Sequence, residues 1–129
     1  MNDKEYAKQK KRVQKYIDKW FDTMGLKWFR VTMDWVRERD NDNPGTAART
    51  TTHWQYRQAW IQWFVPSLAE NDDEFLENII IHEFTHILLS PLLLVDSKED
   101  LPLQHEYATE TVARAIQWAR EAGEKNAKV

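Results

Sequence analysis

Two histidines and a glutamate stand together in the stretch Ile79-Ile80-Ile81-His82-Glu83-Phe84-Thr85-His86-Ile87-Leu88-Leu89. An α-helix turns about 100° per residue, so residues four apart lie one above the other on one face. His82 and His86 have that spacing, and two imidazoles stacked along a helix can grip one metal ion. Zinc accepts neutral imidazole nitrogen, and a hydrolytic zinc site takes three protein ligands and leaves a position for water, whose pKa falls towards neutrality. Glu83, next to the first histidine, is placed to take that water's proton. The plainer reading is three polar residues on an ordinary helix. The isoleucines, leucines and phenylalanine around them argue otherwise, because they imply a mostly buried helix, where a charge without a role is costly.

A third ligand has to come from another element. Downstream of the motif the candidates are His105, Glu106 and Glu110. Nineteen residues separate His86 from Glu106, enough for the helix to end, turn and return antiparallel with a carboxylate facing both imidazoles. Glu110 lies one turn beyond Glu106 on the same face, where it could accept a hydrogen bond from the uncoordinated nitrogen of a ligand histidine. Periodicity alone does not choose between these two glutamates, and both would also suit a solvated face near a helix N-terminus.

The elements that must carry these residues can be traced along the chain. Asp3 to Met24 has Val13, Ile17, Trp20, Phe21 and Met24 at three- and four-residue steps, an amphipathic helix that Gly25 is placed to stop. Its Lys8 to Arg12 run is surrounded by Asp3, Glu5, Asp18 and Asp22 and reads as a solvated face. From Trp28 to Arg39 the period becomes two, as in a half-buried strand. The turn-forming run Asp40 to Gly45 then leads to a second strand from about Ala48 to Tyr56, and Ala59 to Val65 alternates as a third; the Arg57-Gln58 connection carries no strong turn signature, so one long bent strand is the alternative, and Pro66 ends the pattern either way. Asn71 is the expected N-cap of the histidine helix, with Glu74 completing a capping box, and Pro91 ends that helix near Ser90. Residues 91–95 read as an apolar connection and 96–100 as a polar excursion. Gln104 to about Ala122 is the last helix, with Tyr107, Thr111, Val112, Ala115, Ile116 and Trp118 expected as its apolar face.

Composition narrows the function classes. With 129 residues the chain is the size of one domain, taken as residues 1–129. A net charge of −3 argues against general affinity for nucleic acid or acidic lipid. There is no cysteine, so a metal must be held by histidine and carboxylate. No signal peptide or membrane-span pattern is visible, and a cytoplasmic protein is the expectation. The seven tryptophans fall at strand and helix spacings and read as packing residues.

His82-Glu83-Phe84-Thr85-His86, a gap of nineteen residues, then Glu106 with Glu110 four residues on, resembles the gluzincin metallopeptidases, of which thermolysin is the best known. In its short length the chain is similar to the minigluzincins and to small phage- or prophage-encoded proteins of that type. The resemblance covers roughly residues 28–118 in order of elements and is specific at the motif residues alone. It implies an α+β, minimal zincin-like fold: an N-terminal helix, a small, mainly antiparallel three-stranded sheet, the active-site helix and a glutamate helix. It implies one zinc per chain held by His82, His86 and Glu106, with Glu83 as general base and later proton donor, and Glu110 as partner to a ligand histidine. It implies a peptide or protein substrate in extended form, paired with the last strand before the active-site helix as the upper rim of the cleft. The chain lacks a substantial second subdomain and a tyrosine or histidine donor at a recognisable motif position, which leaves His105, Tyr107, His53 and Tyr56 as unranked candidates for stabilising the oxyanion. The alternative function is a non-catalytic protein-binding module, metal-stabilised or metal-free, on the same scaffold.

Overall fold

The computed structural model describes residues 1–92 and 101–127. The first helix, α1 (Asp3–Phe21), is capped by the Asn2 side chain, which accepts from Glu5 N–H at 2.8 Å. Gln9, Val13, Ile17 and Trp20 form its buried face. It ends a turn before the expected Met24, and Gly25 takes φ +75°, the left-handed conformation that costs an L side chain about 1–2 kcal/mol. A short 3-10 turn, Leu26–Trp28, follows.

Three strands make the sheet: β1 (Arg30–Val36), β2 (Ala48–His53) and β3 (Gln58–Phe64), in the order β1-β3-β2. β2 and β3 are antiparallel, but β1 and β3 are parallel, so the sheet is mixed rather than mainly antiparallel. The reason lies in the burial of β3. Its Ala59, Ile61, Trp63 and Phe64 are all buried, which fits the central position, and the eleven-residue stretch 37–47 is long enough to carry the chain past that position before β3 fills it. The second strand stops at His53. Trp54–Tyr56 is a 3-10 turn closed by Arg57 at φ +53°, a turn that no Gly or Asn announces in the sequence.

One face of the sheet, with Val31, Met33, Trp35, Ala59, Ile61 and Trp63, packs on the core. The other face carries Thr51 and His53, both exposed. Pro66 ends β3 and also opens a short helix, α2 (Val65–Ala69), since proline suits a first helical turn. The histidine helix is α3 (Asp73–Leu89). Its N-cap is Asp72, which accepts from Phe75 N–H at 2.8 Å, rather than the expected Asn71, whose amide donates to Ser67 O instead. Leu76, Ile80, Ile81, Phe84 and Ile87 bury against α1 and the sheet. Phe84 meets Phe21 and Trp63 edge-on, at ring centroid distances of 5.9 and 6.3 Å.

The last helix, α4 (Leu101–Ala127), runs longer than expected at both ends. Its buried face is Thr109, Ala113 and Gln117, whereas Tyr107, Thr111, Val112, Ala115 and Trp118, expected on the apolar face, are exposed and Ile116 alone of that set is half-buried. α4 packs on α3 through small and polar groups, with Asn78 of α3 donating to Gln117 at 3.3 Å. The expected apolar connection and polar excursion fall, beyond Leu92, outside the described residues. No helix among the described residues is long and apolar enough to cross a membrane.

Candidate metal centre

Burial of the Ile80, Ile81, Phe84 and Ile87 side of α3 leaves the opposite stripe, His82 and His86, half-buried and turned towards α4. The two rings lie 4.8 Å apart, as residues one turn apart should. α4 brings Glu106 between them. Its Oε2 is 3.1 Å from His82 Nε2 and its Oε1 is 2.7 Å from His86 Nε2. One ligand atom from each of the three residues can be chosen so that all lie within 4.8 Å of one another. Zinc holds its ligands at about 2.0–2.2 Å, which puts neighbouring ligand atoms of a tetrahedron roughly 3.3 Å apart, so this cluster needs little movement to close on an ion. The donor set, two imidazoles and a carboxylate with no thiolate, also suits zinc.

Glu110 takes a different place. Its Oε2 accepts from His82 Nδ1 at 2.5 Å, and its other oxygen accepts from Arg114 Nε at 2.8 Å. It therefore fixes the His82 tautomer that leaves Nε2 for a metal. Geometry distinguishes the two glutamates that periodicity left equivalent: Glu106 reaches both histidines, and Glu110 reaches only the far nitrogen of one.

The electrostatics divide the two histidines. For His82, burial acts to lower the pKa, but the Glu110 hydrogen bond and the charges of Glu83 and Glu106 outweigh it, and the net direction is up. For His86, burial prevails over Glu106, aided by repulsion from His82 and His105, and the pKa falls. Glu83 is 6 % exposed, and burial pushes its carboxyl up to about 7; the Glu106 charge adds to this, while His82 and a hydrogen bond from Thr50 oppose it. Thr50 Oγ1 donates to Glu83 Oε2 at 3.4 Å from β2.

His82, Glu83, Glu106 and Glu110 open onto a cleft of about 390 Å³, bounded by Thr46 to Ala48 before and at the start of β2, by Phe75, Asn78 and Ile79 of α3, and by Arg114 of α4. Of the four oxyanion candidates, His105 alone stands beside the centre. Its ring stacks on His86 at 5.6 Å, and its Nε2 is buried with no hydrogen-bond partner among the described residues. Tyr107 is 79 % exposed on α4, His53 lies edge-on to Trp60 on the outer face of the sheet, and Tyr56 sits in the 3-10 turn beside Arg57.

The rim also differs from expectation. β3, the last strand before the histidine helix, is paired on both sides and has no edge to offer. β2 is the strand beside Glu83, and no described strand pairs with its outer side. Phe64 N–H donates to Ala47 O at 2.9 Å, so in the alternating antiparallel ladder the N–H and C=O groups of Ala48, Thr50 and Thr52 point to the open edge. Sequence reading missed Thr50 and Arg114 at the site. Arg114 was visible as the next step of the Glu106, Glu110 spacing; Thr50 had no signal beyond lying on one face of its strand. No family model, no curated protein and no solved structure matches the chain.

Proposed function

We propose that this chain is a zinc-dependent metallopeptidase of minimal zincin-like fold, binding one zinc through His82, His86 and Glu106. The observation that carries the reading is Glu106 bridging both histidine Nε2 atoms beside a buried glutamate, Glu83, that makes no ion pair among the described residues. Zinc, when bound, supplies a Lewis acid that polarises a peptide carbonyl and brings a water's pKa near 7. Glu83 takes the proton of the attacking water on a carboxylate oxygen and passes it to the departing amine. Thr50 holds one Glu83 oxygen in place, and Glu110 holds the His82 ring. The open edge of β2 supports an extended peptide or protein substrate, whose backbone can add to the sheet there.

The test is zinc stoichiometry together with digestion of a broad peptide library read by mass spectrometry, with Glu83→Gln as control. One zinc per chain and cleavage that vanishes in Glu83→Gln, with its zinc retained, support the reading. Zinc without cleavage leaves the binding-module alternative, and absence of bound zinc after supplementation removes the peptidase.

A further inference from the structure

The cleft beside the metal cluster is lined by three carboxylates, apolar groups, the polar Thr46, Asn78 and His82, and one guanidinium. Glu83, Glu106 and Glu110 line it with His82, Phe75, Ile79 and Ala48, and Arg114 is the only arginine or lysine among the lining groups. Arg114 uses Nε to hold Glu110 at 2.8 Å, and its two terminal nitrogens bond to no described residue. A guanidinium presents its donors as a rigid fork that matches a carboxylate.

The direction of a bound peptide follows from how β2 and α3 lie together. Ala48 meets Phe75, Asn78 and Ile79 across the cleft, Thr50 meets Glu83, and the Trp54–Tyr56 turn meets Ser90–Leu92. β2 and α3 therefore run alongside in the same direction. A peptide added antiparallel to the β2 edge, the more stable of the two pairings, runs from the His53 end towards Ala48. Its residues C-terminal to the bond over Glu83 then lie above the Phe75–Arg114 cleft.

Resting on the peptidase reading, the geometry points to a carboxylate-selective pocket: Arg114 receives a carboxylate on the residue immediately C-terminal to the scissile bond, either an Asp or Glu side chain or the terminal carboxylate when that residue is the last. Phe75 and Ile79 cover the methylene stem. The Arg114 side chain is 36 % exposed, so solvent screening holds the expected selectivity to about 10-fold, the lower end for a hydrogen bond between charged groups.

The experiment uses the zinc-loaded full chain and one peptide library prepared as free acids and as C-terminal amides. The wild type is read by the residue following each cut, and Glu83→Gln by the peptides it captures, which needs no turnover. Asp and Glu should exceed Asn and Gln by about 10-fold in both readings, or cuts should cluster one residue from a free C-terminus and vanish with amides. The first outcome assigns the carboxylate to a side chain, the second to the chain end. Arg114→Gln should abolish the ratio and Arg114→Lys retain part of it. Because each ratio is internal to one protein, weaker zinc binding from a loosened Glu110 does not move it. Cutting or capture with no such preference in the wild type, or a preference unchanged in Arg114→Gln, overturns the pocket and leaves the peptidase standing. A zinc-loaded chain that neither cuts nor captures any peptide overturns both.

Discussion

Replacing Glu83 by glutamine in the metal-free protein should change how stability depends on pH, by an amount the structure sets. Burial raises the Glu83 carboxyl from its ordinary 4.5 to about 7 in the fold. Between those values the folded state keeps a proton that the unfolded chain has released. Stability is then fully present below about pH 4.5 and is lost as pH rises through about 7. The loss runs at about 1.4 kcal/mol per pH unit across a window of about 2.5 units, or about 3 kcal/mol in all. His82, whose pKa the Glu83 charge helps to raise, loses stability in the same direction, and removing that charge in Glu83→Gln adds to the gain rather than cancelling. Any packing cost of the glutamine amide is independent of pH and shifts the whole difference without tilting it. The assay is urea unfolding followed by tryptophan fluorescence, in chelator, from pH 4.5 to 8. The Glu83→Gln protein should gain on the wild type by about 3 kcal/mol between pH 4.5 and about 7 and level off above that. A difference that stays flat with pH would refute the claim that Glu83 is held as a buried acid near neutrality.

Glu106→Ala should nearly abolish zinc binding, whereas Glu110→Ala should weaken it by roughly 10–100-fold, as expected for the partner of a ligand histidine; a competitive zinc titration giving the opposite order would move the ligand to Glu110. Thr50→Val removes the donor to Glu83 and should raise the Glu83 titration midpoint by roughly half a pH unit, read by carboxyl-carbon NMR on the metal-free protein. Phe84 is fully buried between Phe21 and Trp63, and Phe84→Ala should cost about 3–5 kcal/mol in urea unfolding; a loss below about 1 kcal/mol would mean the helix is not seated as described.

The sequence by itself determined the parts of this protein that depend on local spacing. A spacing of four from His82 to His86 places both on one helix face whatever surrounds them, and the apolar character of α3 makes it a mostly buried helix. The α+β order of elements followed from period and turn signals in the same way, whereas the break between β2 and β3 at Trp54–Tyr56 carried no turn signal. Tertiary structure decided what local periodicity leaves degenerate. β3 takes the centre of the sheet because it is the strand whose side chains bury most fully, and that hands the open edge beside Glu83 to β2. Glu106 and Glu110 are equivalent in helix geometry; the approach of α4 to α3 through Thr109 and Ala113 distinguishes them, setting one between both histidines and the other behind His82. The same approach leaves Tyr107 and Trp118 outside, since a helix has one face to give to its neighbour and this one gives it to the glutamates. Thr50 meets Glu83 across thirty-three positions of sequence, a pairing that no helix or strand period encodes and that only the folded arrangement of β2 against α3 creates.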